Sequence, residues 1–325
     1  MNRRLFVQLL LALLAVLASG CAPAGPQRVA AAPRAASPLA GFPLTVTDDS
    51  RRRVTLPAPA RRIISLSPAH TETLYALGVG DRLIAADTYS DYPPGARAKA
   101  ILNCWPRPPA EQIAALKPDL LVVLTPNDEF IRQMEAVQVT VLELFPKTYE
   151  QALEGILLLG RVTESEAAAR RLVEAMRARA RAVQERLQRA RRKRVLYEID
   201  ASDASRPYVA GGGGLYGDLL RLAGGENIFA DLSSPATQVS GEQVVARDPE
   251  VILLGDVQMP SYPQRPTMLR ARPGWAGITA VRAGKVFAVN GERIVHPGPR
   301  LIEGLEEIAR CLHPERFPRG SHGSG

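Results

Sequence analysis

The organisation of the chain is set by residues 163–192, TESEAAARRLVEAMRARARAVQERLQRARR, a run without glycine or proline. Alanine, glutamate, arginine and leucine dominate it, and these are strong helix formers. Thr163 and Glu166 have the spacing of a capping box, in which each side chain satisfies a backbone amide at the helix start. We therefore predict one helix of about 45 Å, at 1.5 Å per residue.

The predicted helix has only a narrow apolar face. That face consists of Leu172, Met176, Ala180, Val183 and Leu187. Nearly all other positions are charged or small, and a helix that is polar almost all round can bridge two domains. The length of 325 residues also fits about two domains. We interpret residues 161–193 as a bridging helix, which allows smaller domain closure than hinge strands do.

The two flanks of this helix follow one plan. Short apolar runs alternate with helical runs on both sides, which predicts βα units and mostly parallel sheets. EQIAALKPDL at residues 111–120 parallels EQVVARDPEV at residues 242–251. The predicted fold class is therefore α/β, with two Rossmann-like lobes joined by one long helix. The first lobe, with a leading β-hairpin, spans 42–160, and the second spans 194–317.

The N-terminus has the pattern of an export signal. Residues 1–21 contain two arginines, an apolar run and then small residues. The run is shorter than the roughly 20 residues that a membrane span needs. ASGC at 18–21 resembles a bacterial lipobox, which implies a lipid on Cys21; the alternative is an ordinary secretory signal. We interpret residues 22–41 as a flexible tether and 318–325 as a disordered tail. The expected location is extracytoplasmic and lipid-anchored, in the periplasm or on the outer face of the membrane.

The composition argues against nucleic acid as a partner and against a metal site. The net charge is +8, but the excess is mostly arginine on the long helix, and no basic run alternates with aromatic residues. The chain has no CxxC motif and no Cys/His cluster. Cys104 and Cys311 are the remaining cysteines, and the sequence leaves open whether they form a disulfide.

Motifs of common enzyme families are absent. The chain has no GxSxG, no GxxxxGK[ST] and no HExxH. Gly211–Gly214 lacks the context of a dinucleotide-binding loop, and it predicts either a mobile loop or a close approach of backbone to a ligand. Ser67 and His70 have no supporting context for a nucleophilic triad. We therefore predict that the protein is not an enzyme and has no catalytic residues.

Several ordered motifs resemble the substrate-binding proteins of ABC importers for cobalamin and iron chelates. They are LSPAHTETL at 66–74, YSDYP at 89–93, LKPDL at 116–120, GGENIF at 224–229 and QVSGEQV at 238–244. The resemblance covers roughly residues 61–314 and is greatest for the BtuF-like, cobalamin-binding branch. It implies a monomer without a cofactor of its own. It also implies a ligand held between two lobes and a partner that is an ABC permease dimer with its ATPase.

The resemblance also assigns roles to individual residues. In this family a glutamate on each lobe docks onto arginines of the permease, which implies Glu111 and Glu242. The alternative is that each glutamate only stabilises a helix macrodipole. The cobalamin-binding branch packs its flat ligand on aromatic side chains at the positions of Tyr89 and Trp105. The further candidate ligand residues are His70, Tyr92, Tyr208 and His296.

The ligand implied first is cobalamin or a related corrinoid. Two departures from the branch keep alternatives open: Ala236 stands where a tryptophan is common, and His296 stands near a position that is usually basic. Haem is the second candidate, with His296 or Tyr208 as the axial iron ligand, and a ferric siderophore is the third. Chelatases and nitrogenase-like enzymes have related folds, and a ligand-sensing lipoprotein without a transporter is a further alternative.

Overall fold

The computed structural model describes residues 41–124, 127–255 and 265–318. The predicted export signal, Cys21, nearly all of the tether and nearly all of the tail lie outside these residues. None of the helices within the described ranges has both the length and the apolar character to cross a bilayer. The described chain divides into two compact units, one formed by residues 41–145 and 158–166 and the other by 146–157 and 167–318.

A β-hairpin opens the first unit, as predicted. Strand β1 (Leu44–Thr47) pairs antiparallel with β2 (Arg53–Leu56), and alternate residues of both are buried. The turn is closed by the Asp48 carboxylate, which accepts a 2.8 Å hydrogen bond from the Arg52 amide. The hairpin is tied to the rest of the unit by Asp49, whose carboxylate accepts from the Phe145 amide at 2.7 Å.

The core of the first unit is a five-stranded parallel sheet in the order β5-β4-β3-β6-β7. Its strands are β3 (Ile63–Ser65), β4 (Leu83–Asp87), β5 (Ala100–Leu102), β6 (Leu120–Val123) and β7 (Val141–Glu143). Its helices are α1 (Pro68–Ala76), α2 (Ala110–Ala115), α3 (Asp128–Ala136) and α4 (Tyr149–Val162), the last shared with the other unit. The inner strands read as continuous apolar runs because both of their faces are covered.

The second unit contains a mixed six-stranded sheet. Its order is β11-β9-β8-β12-β13, with β10 also paired to β8. The strands are β8 (Lys193–Asp200), β9 (Tyr208–Ala210), β10 (Gly225–Asn227), β11 (Ala236–Gln238), β12 (Val251–Leu254) and β13 (Val286–Ala288). Strands β8, β10, β12 and β13 form the parallel pairs, whereas β9 and β11 pair antiparallel. The helices are α5 (Glu166–Arg186), α6 (Gly214–Leu222), α7 (Gly241–Arg247), α8 (Thr279–Arg282), α9 (Glu292–Val295) and α10 (Leu301–Leu312).

Helix α5 is the predicted long helix, and it is shorter than predicted. Its 21 residues correspond to about 31 Å. The predicted capping box is wrong, because the Thr163 hydroxyl donates to the Leu159 carbonyl at 2.6 Å and so completes the end of α4. Glu164 and Arg189, outside the two ends of α5, have positive φ angles of 55° and 64°, and such residues do not continue an α-helix.

The buried face of α5 is shifted slightly from the predicted one. It consists of Ala169, Val173, Met176, Ala180 and Val183. Three of the five predicted positions are therefore confirmed, and the middle of the stripe is unchanged. Leu187 lies beyond the end of the helix.

Candidate functional site

Four of the six predicted ligand residues gather at one edge of the first sheet. Its five strands are parallel, so their carboxyl ends share one edge, which we call the carboxyl edge. His70 follows β3, Tyr89 and Tyr92 follow β4, and Trp105 follows β5. These three strands are neighbours in the sheet. Ligands of open α/β sheets bind in the loops at this edge.

The aromatic residues of this edge are accessible, whereas His70 is not. Tyr92 is 46% exposed, and Tyr89 and Trp105 are half-buried. His70 is only 3% exposed and lies in the first turn of α1. This helix begins at Pro68, and proline suits the first helical position, where a backbone N–H has no partner in any case.

A chain of buried polar groups links the strand ends at this edge to the loop that contains Tyr89. The Asp87 carboxylate at the end of β4 is bonded to the Ser90 hydroxyl. Ser90 contacts the Thr71 hydroxyl at 2.9 Å, and Thr71 contacts the Ser65 hydroxyl at 2.9 Å. Ser65 in turn donates to the Ser67 carbonyl at 3.0 Å. The chain thus fastens two strand ends, the first turn of α1 and the Tyr89 loop to one another.

The number of available protons indicates which protonation state of Asp87 allows all hydrogen bonds of this chain to form. Its four hydrogen bonds need four protons, whereas its three hydroxyl groups supply three. A protonated Asp87 supplies the fourth. Burial raises the pKa of Asp87 to about 6, although the hydrogen bond that Ser90 donates to the ionised carboxylate acts in the opposite direction. Sequence reasoning missed Asp87, and its only signal was a carboxylate at the very end of an apolar strand.

The two remaining predicted ligand residues lie at the carboxyl edge of the second sheet. Tyr208 begins β9 and pairs with Asp200, the last residue of β8. His296 lies in the segment that follows β13. Both side chains are half-buried. A phenol and an imidazole therefore lie along the same edge, although the strands β9 and β13 are separated by β8 and β12.

A buried ion pair stabilises the sheet behind that edge. Arg272 donates two hydrogen bonds to the Glu198 carboxylate on β8, at 2.5 and 2.9 Å. Its guanidinium also lies 4.4 Å from the ring centroid of Trp275. A bidentate, buried pair of this kind fixes geometry, and here it holds the segment around residue 272 against β8. Sequence reasoning missed this pair, since its partners are 74 residues apart.

Gly211–Gly214 approaches backbone of the chain itself. A Cβ atom on Gly211 would lie 1.9 Å from the Ser234 carbonyl oxygen, and one on Gly212 would lie 1.9 Å from that of Ala230. These glycines are therefore required by the close packing of two backbone segments. This contact explains them without a ligand.

The two predicted docking glutamates occupy equivalent places. Glu111 is the second residue of α2 and Glu242 is the second residue of α7, and both are exposed. Helix α7 begins with a complete capping box between Ser240 and Gln243. Helix α2 follows Pro109 and has no side-chain cap. The two helices are therefore capped differently, while the glutamate is the second residue in both.

The cysteines and the metal-ligating residues form no further site in the described part of the chain. Cys104 and Cys311 are free thiols, so the disulfide that the sequence left open is not formed. Burial, and secondarily the Asp87 carboxylate, raises the pKa of Cys104 to about 12, which keeps this thiol protonated and unreactive. Within the described ranges, no three His, Cys, Asp or Glu side chains are grouped so as to hold a metal ion.

Comparison with known proteins gives consistent matches. Residues 63–292 match the family model described as periplasmic binding protein. The uncharacterized ABC transporter substrate-binding lipoprotein YvrC of Bacillus subtilis is 27% identical over 98% of this chain and 99% of its own length. The vitamin B12-binding protein of Yersinia pestis is 34% identical over 208 residues, which are 63% of this chain and 73% of the relative.

A solved structure extends the similarity to the fold. The periplasmic vitamin B12-binding protein BtuF of Vibrio cholerae matches with a TM-score of 0.69 and 28% sequence identity. The match covers 80% of this chain and 99% of that one. The predicted α/β fold class and the resemblance found in the motifs are both confirmed.

Proposed function

The chain belongs to the periplasmic binding protein family, and we propose that it captures cobalamin or a related corrinoid and delivers it to the permease of an ABC importer. Its relatives are named as an ABC transporter substrate-binding lipoprotein and as vitamin B12-binding proteins. The choice of cobalamin as the ligand is the proposal. The prediction that the protein is not an enzyme agrees with the relatives, which are named as binding proteins.

The observation that carries the proposal is the group of aromatic side chains at the carboxyl edge of the first sheet. Tyr89 and Trp105 are half-buried there, and Tyr92, three residues after Tyr89, is exposed. A corrin is a broad macrocycle with apolar faces, and large aromatic side chains provide apolar contact area for such a surface. Relatives named for vitamin B12 binding support the same ligand.

Haem is the second candidate, and a different observation favours it. Tyr208 and His296 lie at one edge of the second sheet. Tyrosine and histidine are both axial ligands of haem iron. If haem were the cargo, either side chain would ligate the iron, and Tyr208→Phe or His296→Ala would shift the Soret band of the complex.

The test of the aromatic surface uses tryptophan fluorescence and affinity. The chain has two tryptophans, Trp105 and the 1% exposed Trp275, so comparison with Trp105→Phe isolates the part of the emission change that comes from Trp105. We expect cyanocobalamin to quench the wild-type emission and Trp105→Phe to lose most of that change. Trp105→Ala should raise the Kd by about 10- to 100-fold, as for a central aromatic contact.

The matched control removes an exposed apolar side chain elsewhere in the same unit. Val137 is 52% exposed and follows α3, at the amino ends of the strands. Val137→Ala should leave the Kd for cyanocobalamin unchanged. Equal affinity of Trp105→Ala and the wild type would remove the observation on which the choice of cobalamin rests.

We further propose that Glu111 and Glu242 dock onto the permease and that Cys21 carries the lipid anchor. The matching positions of the two glutamates suit a partner with two-fold symmetry. Exposed ion pairs are individually weak, so their contribution is to register and encounter rate. The relative YvrC is named as a lipoprotein, which supports an anchored location outside the cytoplasm.

A further inference from the structure

Four basic side chains of the second unit are not used in contacts within the described ranges. They are those of Arg189, Lys193, Lys285 and Arg316. Lys193 is half-buried, and the other three are exposed. None of the four side chains forms a hydrogen bond or an ion pair with a residue that the structure describes. Their charged groups are therefore available to a partner.

Three of these residues lie at the amino end of the second sheet. Lys193 begins β8, and Lys285 directly precedes β13. These two parallel strands are separated only by β12, so they lie two strand spacings, or about 10 Å, apart. Arg189 lies in the short link between α5 and β8. The three positive charges are thus within about one Debye length of one another.

Arg316 belongs to the same end of the second unit. It lies just after α10 and close to His313, whose Nε2 atom is 3.1 Å from the Gly224 carbonyl oxygen. The same oxygen accepts a hydrogen bond from the Lys193 amide at 3.2 Å. The segment that carries Arg316 is therefore joined to the start of β8. We call the four side chains of Arg189, Lys193, Lys285 and Arg316 the basic end.

Capping of helices explains other basic side chains here, but not the basic end. Helices α5, α6, α7 and α8 each finish shortly before a parallel strand, and a helix C-terminus carries a partial negative charge. Arg194 donates hydrogen bonds to the carbonyls of Arg247 and Asp248 at the end of α7. Arg192 donates to the Gly225 carbonyl at 3.2 Å. Within the described ranges the basic end makes no such contact.

The acidic side chains of this region do not neutralise the basic end. They are Glu226, Asp248, Glu250 and Glu315. The Glu250 carboxylate is paired with Arg191, and the Asp248 carboxylate accepts a 2.8 Å hydrogen bond from the Thr279 hydroxyl. Glu226 and Glu315 are exposed. Four basic side chains thus face two exposed carboxylates, and the surface is positive.

We propose that the basic end binds the anionic headgroups of the membrane to which Cys21 is anchored. The negative surface potential of an anionic bilayer attracts basic residues over about one Debye length. Residues 22–41 span at most about 70 Å when fully extended, so a lipid on Cys21 keeps the described chain near the bilayer. The choice of a membrane as partner therefore rests on the lipid anchor under the proposed function. Nucleic acid fits less well, because no basic run alternates with aromatic residues.

The basic end lies opposite the docking and ligand residues of the second unit. Strand β8 runs from Lys193 to Asp200, a length of about 23 Å. Asp200 pairs with Tyr208, and Tyr208 pairs with Gln238, shortly before the helix of Glu242. A bilayer bound at the basic end therefore leaves the carboxyl edge of this unit turned outward, toward free ligand. It also keeps Glu242 away from a permease in that bilayer, so membrane binding and docking exclude each other.

The experiment measures binding to lipid vesicles without the anchor. The full chain with Cys21→Ser is sedimented with vesicles of phosphatidylcholine, or of phosphatidylcholine and phosphatidylglycerol in equal parts. We expect at least about tenfold tighter binding to the anionic vesicles at 0.1 M NaCl, where the Debye length is about 10 Å. This preference should disappear at 1 M NaCl, where the Debye length is about 3 Å.

A triple variant tests the residues themselves. Each basic residue near an anionic bilayer contributes about fivefold to binding. Arg189→Gln, Lys285→Gln and Arg316→Gln together should therefore weaken binding to the anionic vesicles by about 100-fold. The matched control combines Arg51→Gln, Arg53→Gln and Arg132→Gln, which removes the same charge from exposed positions of the first unit. The control should bind as the parent chain does, and circular dichroism verifies that both variants are folded.

The outcomes separate this proposal from the proposed function, because none of the measurements involves cobalamin. Equal binding of the parent chain to both kinds of vesicle would overturn the membrane surface, and this result needs no variant to fold. Equal losses in the triple variant and its control would show a general effect of net charge and would overturn it as well. Binding of single-stranded RNA without binding of anionic vesicles would assign the basic end to nucleic acid and also contradict the proposal.

Discussion

Burial of Asp87 within the first unit disfavours the ionised form of its side chain. The residue is 3% exposed, and its carboxyl group completes a chain of four hydrogen bonds when it carries a proton. The pKa is about 6 in the folded protein and 3.8 in a free side chain. The stability that the protonated group contributes is therefore fully present below about pH 4 and is lost as the pH rises through about 6.

Asp87→Asn should remove this pH dependence. An asparagine NH₂ supplies the fourth proton at every pH, so we expect the variant to be more stable than the wild type at pH 7 by up to about 3 kcal/mol. The advantage should vanish near pH 4. Urea unfolding at pH 4, 5.5 and 7 measures it, with Asp81→Asn, a change at an exposed carboxylate of the same unit, as the control. Identical pH profiles for wild type and Asp87→Asn would show that the chain of hydrogen bonds is not coupled to folding.

At the residue scale, the sequence singled out the accessible aromatic side chains of the carboxyl edge but not the buried polar groups beneath them. Tyr89 and Trp105 were selected through the resemblance to the cobalamin-binding branch, which has aromatic side chains at these positions. The contacts of Asp87 depend on how β3 and β4 align and on where α1 begins, which no local pattern records. The pair of Glu198 and Arg272 depends in the same way on tertiary packing.

At the scale of the element, the glycine segment before α6 makes a testable claim about packing. Gly211 and Gly212 face backbone oxygens at distances that no Cβ atom tolerates. Gly277 has no atom within 4 Å of the corresponding position and a φ angle that other residues adopt. Comparing alanine substitutions at these three glycines therefore separates the cost of disturbing tight backbone packing from the change in conformational entropy that any glycine substitution causes.

Substitution by alanine should distinguish these positions. Gly211→Ala and Gly212→Ala should each lower the free energy of unfolding by about 2 kcal/mol or more, because backbone segments have to move apart. Gly277→Ala should change it by less than about 1 kcal/mol, in either direction. Chemical denaturation of the three variants measures the effect. A neutral Gly211→Ala would mean that the segments separate without cost.

The starts of α2 and α7 carry the docking proposal. Reversing both charges, with Glu111→Arg and Glu242→Arg, should leave the Kd for the ligand unchanged and reduce transport by at least about tenfold, because the attraction to the permease arginines becomes repulsion. Uptake by reconstituted permease in liposomes measures this effect. Wild-type transport by the double variant would refute docking through these residues.

The chain offers a close control for the docking test. Glu129 is exposed and is also the second residue of a helix, α3, so it interacts with a macrodipole in the same way. Glu129→Arg should cost a similar, small amount of stability and leave transport unchanged. Loss of transport in this variant would indicate a general effect of charge and not a docking contact.

The elements were predictable to different degrees. The hairpin and the alternation of apolar strands with helices were found because each has a strong apolar period or a clear turn signal. Strand β5 and helix α3 were missed, since β5 has three residues and α3 has three buried positions in nine. The length of α5 was overestimated because helix formers continue past both of its ends, where left-handed residues stop it.

At the scale of the whole molecule, the repeated plan of strands and helices decided the fold. A short helix that begins with glutamate and is followed by an apolar strand occurs once on each side of α5. This repeat was enough to predict two α/β units. The antiparallel strands β9 and β11 were not anticipated, because each has only three residues. The ligand is harder to derive than the fold, since one family accommodates several metal chelates and the choice depends on a few side chains.

Direct comparison of ligands tests the central claim. Purified protein is titrated with cyanocobalamin, haemin and a ferric hydroxamate, and binding is followed by calorimetry and by visible absorption. We predict one molecule of cyanocobalamin bound per chain with a Kd in the micromolar range or below, and no displacement of it by haemin at equal concentration. Binding of haemin with a shifted Soret band, without any binding of cyanocobalamin, would contradict the account.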